Sequence, residues 1–365
     1  MMAAMTENFG NASSVDHAVG DRSRVAVEQA KQQIADLINC RPKDILFTSG
    51  ATESINLAIQ GTVLHYEKQQ KIPRVAIAAV EHKAVLDTCR ILEKQGRIEL
   101  IILPVDARAN LNLNQLEKVC RQGLELLCIM AANNEVGTIY PIEIIGAIAK
   151  RYDIPFLCDA SQAVGKIPIN FQDWGITMLA ISGHKFYAPQ GIGALIRNPA
   201  HPLEPIIFGG GHQRGLRSGT LNLPGSVGLG EACHLRQLEM EEDEAAIARK
   251  RDSLQIQLQK AIPELVINGN LDQRLAGNLH ISIPDTPNSA IIARIRNQLA
   301  ISTGSACSTG TVTPSHVLRA MNLSSSLIDG ALRIGIGKFT TDQDIEVAAD
   351  ILISAIKIVQ SLLSE

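Results

Sequence analysis

Lys185 stands in the run Ser182-Gly183-His184-Lys185-Phe186-Tyr187-Ala188-Pro189-Gln190-Gly191, straight after the apolar stretch Met178-Leu179-Ala180-Ile181. A lysine on a Gly-flanked turn at the end of a buried strand can point into a cleft rather than into solvent. Beside a carbonyl cofactor such an amine forms a Schiff base and afterwards moves a proton. Asp159 ends a second apolar run, in Phe156-Leu157-Cys158-Asp159-Ala160-Ser161-Gln162. A carboxylate that keeps a pyridinium nitrogen protonated and a lysine that carries an aldehyde are the two groups that pyridoxal phosphate (PLP) needs.

The elements that position these residues follow from the patterning. Helical stretches (25–39, 51–69, 85–94) alternate with short apolar runs (44–47, 74–80, 98–103, 124–130, 155–158, 178–181, 193–196). Short apolar runs of this kind suit parallel strands buried on both faces, and the alternation predicts an open α/β sheet with crossover helices. A long charged helix over 225–262 reads as a connector. Beyond it, strands are expected at 265–268 and 278–283 and a closing helix at 342–363. The fold class is therefore α/β: a large domain over 1–240 with a mostly parallel sheet, then a smaller α+β domain over 241–365.

Composition narrows the function. The chain has 365 residues, 45% hydrophobic and 19% charged, with a formal net charge of −3. Without a basic run, nucleic-acid binding has no electrostatic support. No apolar stretch approaches the roughly 20 residues of a membrane span, and the start lacks the pattern of a signal peptide. The seven cysteines are scattered without a C-x-x-C pair. They predict free thiols in a reducing compartment, hence a cytoplasmic protein. No His/Cys cluster has metal-ligand spacing, so no metal is expected.

Other polar residues fall just past strand ends, where open α/β sheets bind ligands. Thr48-Ser49-Gly50-Ala51-Thr52 runs from a strand into a helix whose first amides, at Ala51 and Thr52, would hold a phosphate together with the Thr52 hydroxyl. By itself the same sequence reads as a helix capped by Ser49 or Thr52. His82, in Val80-Glu81-His82-Lys83, reads alone as a surface or hydrogen-bonded residue. Asn133-Asn134-Glu135-Val136-Gly137 reads alone as a turn. Asp159 alone could cap a helix, and Gln162 alone could be exposed. Their order and shared topology carry the signal.

Taken together, these residues resemble the class V, fold-type I PLP enzymes, and more closely the NifS/IscS-type group I cysteine desulfurases. The stretches T-S-G-A-T-E-S (48–54), E-H-K-A-V-L (81–86), N-N-E-V-G (133–137), D-A-S-Q-A-V-G-K (159–166), S-G-H-K-F-Y-A-P-Q-G-I-G (182–193), G-G-G-H-Q-R-G-L-R-S-G-T (209–220), S-T-G-S-A-C-S (302–308) and R-I-G-I-G-K-F-T (333–340) follow the family's order. The resemblance implies that Lys185 is the Schiff-base lysine, Asp159 the partner of the pyridine nitrogen and Gln162 the donor to the phenolic oxygen. His82 would stack on the ring and shuttle protons. Ala51, Thr52, Ser182 and His184 would hold the phosphate, with Thr220 reaching the phosphate of the other subunit's cofactor in a homodimer. Asn134 would touch the cofactor and, with Arg333, hold the substrate carboxylate, a task that suits the arginine fork. Taken singly, Arg333 reads as a surface charge, Ser182 and His184 as turn formers and Thr220 as a loop residue.

Cys307, in Ser305-Ala306-Cys307-Ser308-Thr309-Gly310-Thr311, would supply the nucleophilic thiolate. The resemblance implies an enzyme that turns L-cysteine into L-alanine and keeps the sulfur as a persulfide on Cys307. The sulfur would pass to an acceptor protein, such as an iron–sulfur scaffold or a tRNA-thiolation enzyme. A selenocysteine lyase or a cystine C–S lyase uses the same scaffold. The family usually opens with a strand of the type Y-L-D-x-A-A/T-T-x-P some 30 residues ahead of F-G-N-P. Here Phe9-Gly10-Asn11-Ala12 lies almost at the start, with alanine where proline is typical. That departure predicts weakened substrate binding and motivates the reading of a non-catalytic assembly subunit.

Overall fold

The computed structural model describes residues 1–303 and 314–364. They form two compact units: 1–103 with 113–131 and 141–240, and 104–112 with 132–140 and 241 onward. The boundary at Glu241 falls inside the helix Leu223–Ala261.

The first unit is built on a seven-stranded sheet of β1 (Ile45–Thr48), β2 (Arg74–Ala78), β3 (Glu99–Leu103), β4 (Leu126–Met130), β5 (Phe156–Asp159), β6 (Met178–Ser182) and β7 (Gly193–Arg197). Its order is β1-β7-β6-β5-β4-β2-β3. Neighbours are parallel except that β7 runs antiparallel to both β1 and β6. The apolar run at 193–196 is therefore a strand, but not a parallel one. A hydrophobic run records burial on both faces and not direction.

Strand interiors such as Val75, Ile77, Leu126, Cys128, Leu157, Met178 and Leu195 pack against Ile55, Ile59 and Val63 of helix Ala51–Glu67 and Val85, Leu86 and Cys89 of helix Lys83–Lys94. Helices Leu113–Arg121 and Ile142–Arg151 were not among the helices expected from sequence. Both are short, and each buries a narrow apolar stripe. β1 is one of the two outer strands, and its free edge is not left bare. The Gln213 side chain accepts from the Phe47 N–H at 2.7 Å and donates to the Phe47 carbonyl at 2.8 Å, as a neighbouring strand would.

The second unit holds an antiparallel sheet in the order β10-β9-β8, from β8 (Val266–Ile267), β9 (Asn278–Ser282) and β10 (Ala331–Gly335). Leu279, Ile281, Leu332 and Ile334 of the sheet pack with Leu254 and Leu258, and with Ile345, Leu352 and Ile356 of helix Asp342–Ser364. Among the described residues no helix is long and apolar enough to cross a membrane. Nor does any group of three or more His, Cys, Asp or Glu among them have the arrangement to hold a metal ion.

Candidate active site

In the first unit the ends of neighbouring strands meet along one edge of the sheet. Thr48 of β1, Gly193 of β7 and Ser182 of β6 share one row of the ladder. A Cβ on Gly193 would lie 2.4 Å from the Ile181 carbonyl oxygen and 2.7 Å from the Gly50 Cα, so only glycine lets helix Ala51–Glu67 begin this close to β7. Gly50 precedes that helix and no side chain caps it. Neither Ser49 nor Thr52 plays the capping role that their sequence alone suggested. The Ser49 amide is instead held by Glu53 Oε2 at 2.8 Å. Glu53 also pairs with both arms of the Arg217 guanidinium at 2.7 and 3.2 Å. Burial opposes its charge, but the Arg217 and Ser49 bonds prevail and hold Glu53 below the usual carboxylate range.

An uncapped helix start presents amides and a partial positive charge to an anion. Ser182 Oγ lies near it, 3.7 Å from where a Gly50 Cβ would be, and bonds His184 Nδ1 at 3.2 Å. Burial and then the Lys185 charge hold His184 below its ordinary 6.5. Lys185 closes the short 3-10 turn Gly183–Lys185 that follows β6.

One strand over, Asp159 ends β5 at 6% exposure. Its Oδ1 accepts both from the Ser161 N–H at 3.0 Å and from the Ser161 hydroxyl at 2.5 Å. Gln162 Oε1 accepts from Lys166 Nζ at 3.0 Å, which leaves the amide NH2 as the donor toward a ligand oxygen. Past β2, Glu81 is fully buried and its Oε1 takes the Met130 N–H of β4 at 2.9 Å. Burial, reinforced by the nearby Asp159 carboxylate, pushes Glu81 well above its ordinary 4.5 despite the Met130 bond. His82 next to it caps helix Lys83–Lys94: its Nδ1 accepts from the Ala84 N–H at 3.1 Å, which puts the proton of the neutral ring on Nε2. Thr220 is exposed, on the loop that Arg217 ties to Glu53.

The donors fit PLP. The edge offers an anion cradle, a buried carboxylate, an amide whose carbonyl is already occupied, a helix-capping histidine and a lysine. Glu81, Ser161 and Lys166 position these groups without having been singled out from sequence. Ser161 and Lys166 lie within the 159–166 stretch, and spacing i, i+4 from Gln162 was the available signal for Lys166.

The second unit brings Asn134 and Arg333 together. Arg333 Nη1 donates to the Asn134 carbonyl at 3.1 Å. Asn134 sits in a turn closed by Asn133, whose Oδ1 accepts from the Glu135 and Val136 amides at 2.9 and 3.0 Å. Arg333 lies on β10 opposite His280. Burial, and then the Arg333 charge, hold His280 neutral, down to about 3, so it adds no second cation to this face. The main chain of Arg333 pairs with Ser302 in both directions, at 2.6 and 3.1 Å. Ser315 Oγ donates to Glu135 Oε2 at 2.5 Å. Cys307 lies outside the described residues.

The other six cysteines (Cys40, Cys89, Cys120, Cys128, Cys158 and Cys233) are free and buried. Burial raises all six thiols, Cys40 and Cys89 to about 12 and Cys120 to about 11.

Comparison with known proteins agrees with this architecture. Residues 1–347 match the family described as aminotransferase class-V. Cysteine desulfurase IscS of Ehrlichia chaffeensis is 44% identical over 354 residues, covering 96% of this chain and 85% of that protein. Among solved structures, a NifS-like protein superposes with a TM-score of 0.89 at 31% identity, over 98% of this chain and 94% of its own. SspA in complex with cysteine superposes with a TM-score of 0.77 at 34% identity, over 93% and 94%. The chain belongs to the aminotransferase class-V family, among the cysteine desulfurases of the NifS/IscS type.

Proposed function

We propose that the protein is a PLP-dependent L-cysteine desulfurase that retains the sulfur as a persulfide on Cys307 and releases L-alanine. PLP held there would supply an aldehyde for amines and a ring able to take up the electrons of the α-C–H bond. The chain does the rest. The start of helix Ala51–Glu67, with Thr52, Ser182 and His184, holds the phosphate. Asp159 would keep the ring nitrogen protonated, Gln162 would donate to the phenolic oxygen, and His82 would stack on the ring. Arg333 and Asn134 hold the substrate carboxylate. Lys185 Nζ removes the α-proton and returns a proton to the carbon skeleton. The Cys307 thiolate attacks the substrate sulfur, an S–S bond forms as the C–S bond breaks, and the freed carbon is protonated to alanine.

The observation that carries this reading is the state of the other thiols. All six described cysteines are buried and held as neutral thiols, whereas the nucleophile must be an accessible thiolate. Cys307, among small residues, is the remaining candidate. The relative solved in complex with cysteine supports the substrate. A homodimer, with Thr220 serving the partner's cofactor, and a sulfur-acceptor protein complete the proposal.

Cys307→Ser tests it. Sulfide release and persulfide labelling should vanish while the visible absorption of the PLP-loaded protein stays. Desulfuration that survived the substitution would remove Cys307 from the mechanism. Pyruvate in place of alanine as the product would point to C–S lyase chemistry instead.

A further inference from the structure

Arg236 lies on helix Leu223–Ala261 and is only 2% exposed, although its guanidinium carries a permanent charge. Taking such a group out of water is costly unless fixed partners receive it. Two of its partners belong to the two turns that bear the candidate cofactor groups. Nε donates to the Gly165 carbonyl at 2.6 Å, and the guanidinium carbon lies 5.8 Å from the centre of the Tyr187 ring. Gly165 closes the turn that begins at Asp159 and contains Gln162. Tyr187 follows Lys185 by two residues.

Both contacts fall on left-handed backbone, φ 74° at Gly165 and 72° at Tyr187. That conformation is disfavoured for a tyrosine and persists only where the surroundings impose it. The packing leaves no slack: a Cβ on Gly165 would sit 3.0 Å from both the Arg236 Cγ and the Phe186 Cβ. A planar guanidinium can donate in its plane to a carbonyl while offering its face to an aromatic ring. A lysine ammonium is a compact point charge without that plane, and does not reproduce the pair of contacts in the same geometry.

We propose that Arg236 is a positioning residue that locks the 159–165 turn to the 183–187 turn. It thereby fixes Lys185 Nζ relative to the Asp159 carboxylate and the Gln162 amide. This inference rests on the PLP reading given above. It predicts that loss of Arg236 changes the environment of Lys185 without removing any group that touches the cofactor.

The test compares wild-type protein with Arg236→Met, which keeps the volume, Arg236→Lys, which keeps the charge, and Tyr187→Ala. Each is loaded with PLP, and the pH midpoint of its visible band and its rate of PLP loss to a trap are measured. Amide hydrogen exchange is followed in the cofactor-free proteins. Arg236→Met should move the midpoint by about half a pH unit or more and speed PLP loss roughly tenfold. Exchange should quicken at 160–165 and 186–188 while the sheet stays protected. Arg236→Lys should restore little of this, and Tyr187→Ala should shift the midpoint the same way by less.

A folded Arg236→Met protein with a lower melting temperature but unchanged midpoint and turn exchange would make Arg236 a core filler and overturn the proposal. Should that variant not fold, Tyr187→Ala decides, because Tyr187 is 49% exposed and its removal opens no core; an unchanged midpoint and exchange there overturn the proposal equally. Wild-type protein that takes up no PLP would sink the cofactor reading instead, and exchange at the two turns would still report on Arg236.

Discussion

The two units build their polar sites by different means. In the first, the groups stand at the ends of adjacent strands, and their spacing is set by the sheet ladder itself, about 4.8 Å from strand to strand. Backbone contacts and short side-chain bonds then fix each one: Ser161 under Asp159, Lys166 under Gln162, Glu81 beneath the Met130 amide. In the second, Arg333 reaches the carbonyl of a residue 199 positions away in sequence, on a turn held by one asparagine. A ladder-set site suits a group that stays bound through many turnovers. A clasp with few bonds suits a carboxylate that must arrive and leave each time.

The sharpest way to break this contrast is Lys185→Ala. Loss of the proton-moving amine should cut sulfide release from L-cysteine by at least about 10²–10⁴-fold, and the lysine-dependent visible band should disappear; a variant that kept turnover would discard the ladder-set site altogether. Arg333→Lys probes the clasp. Losing one charge-assisted bond of about 1.5–3 kcal/mol should raise KM for L-cysteine by about 10–150-fold and leave kcat much less changed. A fall in kcat alone would show that Arg333 does not serve ground-state binding of the carboxylate.

Glu81→Gln asks how the ladder-set site responds to pH. The folded protein keeps the Glu81 proton well above 4.5, whereas the unfolded chain releases it near that value. Its contribution is therefore full below pH 4.5 and is lost as pH rises from there toward the folded pKa. The slope is up to about 1.4 kcal/mol per pH unit. The glutamine variant should flatten the fall in melting temperature of the cofactor-free protein above pH 5. An identical pH dependence in the two proteins would mean that Glu81 is ionised when folded. The smallest effect is expected from Gln213→Ala, which removes two bonds to Phe47 at the sheet edge and should cost about 1–2 kcal/mol in chemical denaturation. No change would mean that water replaces the amide at no loss.

The contrast also explains what was legible in the sequence. Strand-end residues such as Lys185 and Asp159 announce themselves because an apolar run stops at them, and local sequence is enough to see it. β10 did not announce itself, for its apolar residues are interrupted by Arg333, and what holds that arginine is far away along the chain. Segments 104–112 and 132–140 belong to the second unit through contacts such as Asn270 Nδ2 to Asn110 Oδ1 and Asn278 Nδ2 to the Glu135 carbonyl, both at 2.9 Å, which no periodicity foretells. Arg236 was hidden for a related reason. It sits in a helix that reads as a charged connector, and only the Gly165 carbonyl and the Tyr187 ring reveal that its face is interior.

The Gln213 clasp on β1 has a consequence for the life of the protein in a crowded solution. An outer strand with a bare Phe47 is a template on which another chain can add itself. A single side-chain amide occupies that template at the cost of two residues, Gln213 and Arg214, in left-handed backbone. The same residue anchors the start of the loop that runs on to Thr220. Any substitution that frees it would loosen this loop and uncover an adhesive edge together, so a defect in sulfur transfer and a tendency to form aggregates would arise from one lesion.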